Sequence, residues 1–188
     1  MFEVRIHGRG GQGVVTAAEM LSVAAFLEGK HAQAFPSFGS ERTGAPVVAF
    51  CRIGEKEIRL REPIQTPDAV IVQDPTLFKA LDPTEGLKSD GYLLVNTART
   101  LSELHLDPVV RLPPGHVTAV PATELAMKFI NRPAPNTALL GAFAAEVGVV
   151  SLDSVLEAIL RAFPGKVGEA NVEAAKAAHG LVSQRAVV

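Results

Sequence analysis

Cysteine is nearly absent from this sequence: Cys51 is the only one among 188 residues. A cubane iron–sulfur cluster is held by about four thiolates, so this chain alone cannot ligate one. One cysteine also excludes an internal disulfide and a four-cysteine zinc site. A chain without disulfides fits a reducing compartment. Cys51 lies in the apolar run VVAFCRI and is interpreted as a small core residue.

Long apolar runs and an excess of one charge are missing as well. No stretch approaches the roughly 20 apolar residues that span a bilayer. The first residues, MFEVRIHGRGGQG, lack the basic segment and apolar run of a signal peptide. Lys and Arg number 18 against 20 Asp and Glu, without a block of like charges, which leaves no footprint for nucleic acid or an anionic membrane. We expect a soluble, cytoplasmic protein that binds neither.

The length and the hydrophobic fraction of 47% suit one globular domain over residues 1–188, without linkers or repeats. The five histidines are scattered and form no H-x-x-x-H pair, so no metal site is predicted. No G-x-S-x-G elbow or Ser-His-Asp order is present, and no catalytic residue is assigned. His7 closes the first predicted strand and is interpreted as a hydrogen-bonded strand-end histidine rather than a functional one.

Apolar periodicity predicts the elements. Residues 2–7 alternate as a strand, a glycine-rich run follows, and Val14–Lys30 has helical spacing that ends at Gly29. The other predicted strands are 31–35, 47–53, 57–61, 69–72, 92–95, 109–112 and 117–120, and the other helices are 123–130, 137–147, 152–163 and 167–182. Because only Gly54–Lys56 separates 47–53 from 57–61, these two are expected to form an antiparallel hairpin. The fold class predicted is α/β: a Rossmann-like mixed sheet sandwiched by helices, with an antiparallel hairpin insertion and a helical C-terminal third.

The glycine run occupies the position of a phosphate-binding loop. Gly8, Gly10 and Gly13 satisfy G-x-G-x-x-G between a predicted strand and a helix, whose first N–H groups have no partners within the helix. Three interpretations stay open: a phosphate or dinucleotide site, glycines that only allow tight packing, and a loop pressed against another subunit. Arg9 within the run is interpreted either as a ligand for an anion or a partner's carboxylate, or as a solvent-facing side chain.

Binding of NAD is disfavoured. The dinucleotide fingerprint needs an acidic residue about 20 positions after the glycines, at the end of the second strand, to hold the ribose. Residues 29–40, GKHAQAFPSFGS, contain no Asp or Glu. The glycine run is also not followed by the Lys-Ser/Thr pair of a P-loop.

Three segments together resemble one family. They are Gly8-Arg9-Gly10-Gly11-Gln12-Gly13, the stretch FPSFGSERTGAP from Phe35 to Pro46, and NTALLGA from Asn136 to Ala142. In this order they resemble the gamma subunit of pyruvate and related 2-oxoacid:ferredoxin oxidoreductases, of the pyruvate or 2-ketoisovalerate type. The similarity runs over most of the chain and is most specific in the first 50 residues.

The resemblance implies a complex that converts a 2-oxoacid and coenzyme A to acyl-CoA and CO₂ and passes electrons to ferredoxin. It places thiamine diphosphate, which stabilises the carbanion formed on decarboxylation, between alpha and beta subunits, and the iron–sulfur clusters in beta and delta subunits. This chain lacks the GDG…NN pattern of thiamine enzymes, with Ser89-Asp90-Gly91 the nearest approach. By the resemblance, the alpha, beta and delta subunits hold the cofactors and this chain binds none by itself.

The role implied for this chain is to scaffold the catalytic subunits and to shape the substrate and coenzyme A channel. The residues expected to face the catalytic core are the glycine loop Gly8, Arg9, Gly10, Gly11, Gln12, Gly13 and the segment Phe38, Gly39, Ser40, Glu41, Arg42. The alternatives are a free-standing Rossmann-like NAD(P)-binding oxidoreductase and a non-catalytic binding module.

Overall fold

A mixed sheet of six strands organises the chain, which a computed structural model describes over residues 1–37, 43–100, 102–104 and 112–185. The strands are β1 (Phe2–Arg9), β2 (His31–Pro36), β3 (Pro46–Gly54), β4 (Ala69–Val72), β5 (Tyr92–Asn96) and β6 (Val117–Val120). The α-helices are α1 (Val14–Leu27), α2 (Ala122–Ile130), α3 (Asn136–Val147), α4 (Leu152–Ala162) and α5 (Lys166–Arg185). A 3-10 helix spans Pro75–Lys79.

The strand order is β2-β3-β1-β4-β5-β6. β1, β4, β5 and β6 are parallel, whereas β3 is antiparallel to both of its neighbours, β1 and β2. The carboxyl ends of the four parallel strands therefore meet at one edge of the sheet. Ligands of open α/β sheets bind at this edge, where neighbouring loops diverge. The glycine loop leaves the sheet there, directly after β1.

The two faces of the sheet are covered differently. Alternate residues such as Val4, Ile6 and Ile71 belong to one large core that includes side chains of all five α-helices. On the opposite face, Val70 and Leu93 pack with a smaller set of apolar residues from the 3-10 helix, the connecting segments and β6: Phe78, Leu87, Leu104, Leu112 and Val117. The α-helices are thus concentrated on one face of the sheet. No helix in the described part of the chain has the length and apolarity to cross a membrane.

The α/β class with a mixed sheet is confirmed, but the predicted hairpin is wrong in its second strand. Residues 57–61 form no strand. β3 instead pairs with β2 and β1, so the antiparallel hairpin is β2–β3. The guanidinium group of buried Arg52 on β3 donates to the carbonyl oxygens of Leu60 (3.3 Å) and Glu62 (2.8 Å). The segment is therefore bound to β3 by a side chain and not by strand pairing. The predicted strand 109–112 falls mostly outside the described residues.

Cys51 lies in the core, as the sequence predicts, and helix α3 lies there too. Cys51 is fully buried on β3, and burial raises the pKa of its thiol to about 12. A glycine of α3 allows a close helix contact, because Gly141 lies directly against the backbone of Ala175 on α5. The burial of Cys51 confirms its interpretation as a small core residue.

Candidate functional site

The glycine loop is a tight turn that packs against α3. Gln12 closes it: its backbone N–H donates to the carbonyl oxygen of Arg9 (3.0 Å), and its side-chain Oε1 accepts from the N–H of Arg9 (2.8 Å). Gly13 has a φ of 71°, and a Cβ atom there would lie 2.5 Å from Nδ2 of Asn136. Only glycine fits this position. The tight-packing interpretation is therefore correct for Gly13.

The N-terminus of α1 is open to an external acceptor. Its N-cap, Gly13, has no side chain to cap it, and the first turn contains no acidic residue. The first N–H groups of a helix have no acceptor within it and carry a partial positive charge. A cavity of about 320 Å³ lies over them, lined by Arg9, Gly10, Gly11, Gly13, Val14, Val15, Thr16 and Val47. These donors can bind a phosphate, a carboxylate or the carbonyl groups of another chain.

A second cavity, of about 220 Å³, adjoins the first, since both are lined by Gly11, Gly13 and Thr16. Its far wall is apolar, with Ile130, Phe163 and Val167. Its floor contains Asn136, whose Nδ2 makes a long contact (3.4 Å) with the carbonyl oxygen of Gly13. Three segments of the sequence carry the family resemblance. The structure brings two of them together, the glycine loop and the start of the NTALLGA helix.

The guanidinium group of Arg9 is hydrogen-bonded within the chain. Its Nε donates to Oδ2 of Asp74 (3.0 Å), one terminal nitrogen donates to the carbonyl oxygen of Gly44 (3.0 Å), and the other donates to Oγ1 of Thr76 (2.9 Å). Gln12 also donates to Oδ2 of Asp74 through Nε2 (3.2 Å). The chain itself thus supplies a carboxylate for Arg9, which neither interpretation from the sequence included.

Asp74 is a residue of the candidate site that sequence reasoning did not assign to it. Burial raises the pKa of its carboxyl group, but hydrogen bonds from Thr76 and Gln12 and the charge of Arg9 outweigh burial and hold the pKa below its usual value. Asp74 follows β4 after Gln73 and caps the 3-10 helix by accepting from the N–H of Thr76 (2.9 Å). Its place after a buried parallel strand was a signal that it would meet the loop after β1.

The glycine loop is also hydrogen-bonded to the segment that leads into β3. The N–H of Gly10 donates to the carbonyl oxygen of Ala45 (2.9 Å), and the N–H of Gly44 donates to the carbonyl oxygen of Gly10 (3.1 Å). Gly10 and Thr43 form an isolated β-bridge. The second predicted site segment, Phe38, Gly39, Ser40, Glu41 and Arg42, lies outside the described residues, but the chain that follows it is bound to the glycine loop.

The hydrogen bond predicted for His7 is not found among the described residues. His7 is only 6% exposed, and neither ring nitrogen has a hydrogen-bond partner in the part of the chain that the structure describes. Burial, and then the nearby charge of Arg5, lower the pKa of this imidazole to about 4. It is therefore neutral at physiological pH, on the face of the sheet opposite to the α-helices.

The strand order removes the geometry of a dinucleotide site. In a Rossmann fold the second strand lies beside the first, so its terminal acidic residue reaches the ribose. Here β3 lies between β1 and β2, which moves the end of β2 away by one further strand spacing, about 4.8 Å. The crevice between the loops after β1 and β4 is spanned by Arg9 and Asp74. Among the described residues no three His, Cys, Asp or Glu side chains are grouped to hold a metal ion.

Comparison with known proteins gives a consistent result. The family model for pyruvate ferredoxin/flavodoxin oxidoreductase matches residues 3–181. The chain is 50% identical over 179 residues to the pyruvate/ketoisovalerate oxidoreductases common subunit gamma of Pyrococcus furiosus, covering 95% of this chain and 96% of that one. The crystal structure of pyruvate oxidoreductase subunit PORC from Thermotoga maritima matches with 40% identity and a TM-score of 0.82 over 95% of both chains. The keto/oxoacid ferredoxin oxidoreductase gamma subunit from Geobacter sulfurreducens matches with 29% identity and a TM-score of 0.65, covering 100% of this chain and 99% of that one.

Proposed function

The chain belongs to the pyruvate ferredoxin/flavodoxin oxidoreductase family, and from that membership we propose that it is the gamma subunit of a 2-oxoacid:ferredoxin oxidoreductase. The complex oxidatively decarboxylates pyruvate or a branched-chain 2-oxoacid, transfers the acyl group to coenzyme A, and passes the electrons to ferredoxin. The observation that carries the proposal is identity of 50% over nearly the whole length of a gamma subunit. Residues 1–188 act in it as a single domain.

The partners are alpha, beta and delta subunits, which hold the thiamine diphosphate and the iron–sulfur clusters. The composition of this chain supports that division, because its single cysteine is fully buried in the core and cannot contribute to a cluster. The Pyrococcus furiosus relative is described as a subunit common to two oxidoreductases. A subunit shared in this way does not select the 2-oxoacid, and we propose the same for this chain.

The glycine loop, Gly8–Gly13, and the segment Phe38–Arg42 face the catalytic subunits and border the coenzyme A channel. Two observations support this placement for the glycine loop: the uncapped N-terminus of α1 and the cavity of about 320 Å³ over it. Coenzyme A carries phosphate groups, which suit unpaired N–H donors at the positive end of a helix. This chain supplies no catalytic residue and acts by scaffolding and by shaping the channel.

The test is purification of the tagged chain from its own cells. We expect it to co-purify with three further subunits in a complex that contains thiamine diphosphate, absorbs light as iron–sulfur proteins do, and reduces ferredoxin only when a 2-oxoacid and coenzyme A are both present. Isolation of the chain alone, or in an assembly without thiamine and clusters, would falsify the proposal. Binding of NAD(H) by the isolated chain would instead support the free-standing oxidoreductase.

A further inference from the structure

We infer that Arg9 is a positioning residue, which holds the glycine loop in the orientation that the complex needs to bind coenzyme A tightly. The inference rests on the proposed function. It concerns a residue at the switch point between β1 and β4 whose guanidinium nitrogens are all bonded within the chain.

The guanidinium group of Arg9 joins three separate segments of the chain. Its three nitrogens donate to Asp74 Oδ2 after β4, to Thr76 Oγ1 in the 3-10 helix, and to the carbonyl oxygen of Gly44 before β3, all at 2.9–3.0 Å. The side chains of Arg9 and Asp74 are 30% and 15% exposed, so solvent screens this ion pair less than a surface pair. One side chain thereby sets the position of the loop relative to two neighbours in the sheet.

The place of the pair in the sheet explains how it positions the loop. The loops after adjacent parallel strands β1 and β4 form the crevice where open α/β sheets usually bind ligands. Arg9 and Gln12 fill it with hydrogen bonds to Asp74. The N–H donors of α1 open toward the cavity that Arg9 and Val47 also line. Because the guanidinium nitrogens of Arg9 are already bonded to Asp74, Thr76 and Gly44, Arg9 acts on these donors through the position of the loop.

Small errors in such a position are costly. A displacement of about 1 Å of a binding group can reduce activity by about 100-fold. Lysine cannot replace arginine here. Its single ammonium group on a flexible stem cannot reproduce the planar guanidinium group, whose three nitrogens donate in three fixed directions. We expect the loss of Arg9 to weaken coenzyme A binding while the chemistry on the 2-oxoacid, which the other subunits perform, continues.

The experiment compares the assembled complex with wild-type gamma chain and with Arg9→Ala, Arg9→Lys and Arg161→Ala. Arg161 is the matched control, because its ion pair with Glu157 lies on the surface of α4 with both side chains at least half exposed. Steady-state kinetics are measured with coenzyme A and the 2-oxoacid varied in turn. We expect Arg9→Ala to raise the KM for coenzyme A by about tenfold or more, Arg9→Lys to raise it less, and both to leave kcat and the KM for the 2-oxoacid within about twofold.

Equal KM values for coenzyme A in the Arg9→Ala and Arg161→Ala complexes would overturn the inference, as would a loss of kcat with unchanged KM. If the Arg9→Ala chain does not assemble, the variant Thr76→Val is measured instead. It removes one acceptor of Arg9 and the hydrogen bond from Thr76 Oγ1 to Asp74, and it keeps the ion pair between Arg9 and Asp74. A KM for coenzyme A that rises in that complex supports the inference, and an unchanged one overturns it. A wild-type complex that does not require coenzyme A refutes the proposed function, and the inference with it.

Discussion

Gly141 of α3 and Ala175 of α5 pack backbone against backbone. A Cβ atom on Gly141 would overlap the carbonyl oxygen of Ala175 and lie 2.8 Å from its Cα atom. This contact joins α3 to α5. Helix α3 itself is buried along nearly its whole length.

Gly141→Ala is expected to destabilise the chain by about 1–3 kcal/mol, because the new methyl group meets backbone that cannot rotate away. The matched control is Gly180→Ala on α5, where a Cβ atom would meet nothing within 4 Å. Alanine there should stabilise by about 0.5–1 kcal/mol through its helix propensity. Urea unfolding of the two variants measures both effects, and shifts of the same sign would contradict the packing argument.

His7 should make stability depend on pH. Its pKa is about 4 in the folded chain against 6.5 in the unfolded chain, so only the unfolded state takes up a proton between these values. Stability from this group therefore falls as pH drops from about 6.5 to about 4. His7→Leu removes the imidazole without breaking a hydrogen bond to a described residue. The free energy of unfolding that the chain loses between about pH 7 and pH 5 should therefore be smaller by about 2 kcal/mol in this variant.

The measurement for His7 is chemical unfolding at several pH values, with exposed His31→Leu as the matched substitution. A His7→Leu curve that runs parallel to that of the wild type would show that the imidazole is not buried in its neutral form.

Glu28 should make stability depend on pH in a lower range than His7. Burial raises the pKa of its carboxyl group, but hydrogen bonds from the backbone N–H of Ser151 (2.6 Å) and from Lys30 (2.9 Å) outweigh burial and lower the pKa to about 2. The stabilisation is present above the unfolded pKa of about 4.5 and is lost as pH falls toward 2. The bond from Ser151 joins the end of α1 to the start of α4.

Glu28→Gln should therefore lower the free energy of unfolding at neutral pH by about 1–3 kcal/mol. In acid, the free energy of unfolding of this variant should depend less on pH than that of the wild type. Glu157→Gln, in the exposed pair with Arg161, is the control and should cost less than about 1 kcal/mol. If the two variants lose equal stability, the contact between α1 and α4 does not depend on Glu28.

Cys51 should be inert in the folded chain. It is fully buried, and its thiol pKa of about 12 leaves almost no thiolate at neutral pH. Alkylation by iodoacetamide, followed by mass spectrometry, should proceed only as fast as the chain unfolds, and should become rapid in denaturant. Fast modification under native conditions would place Cys51 outside the core.

The features that sequence reasoning predicted correctly have local causes. The alternation in 2–7 and the helix from Val14 that ends near Gly29 each depend on neighbours in the chain. The glycine spacing likewise located the loop after β1. Family membership followed from three short segments taken in order, two of which the structure brings into contact through Gly13 and Asn136.

The errors concern partners that are distant in the chain. Glu57–Arg61 has the alternation of a strand, but β3 pairs with β1 and β2, and Arg52 donates to the carbonyl oxygen of Leu60 in the segment that was expected to pair. Arg9 meets Asp74, which lies 65 residues further along the chain.

Local backbone preference and apolar periodicity therefore determined which residues become helices, strands and the glycine loop. Tertiary structure alone decided the strand order, the internal partner of Arg9 and the burial of His7. The physical reason is that hydrogen bonds between strands and the burial of side chains depend on which segments meet in space, and neighbouring residues do not encode that choice.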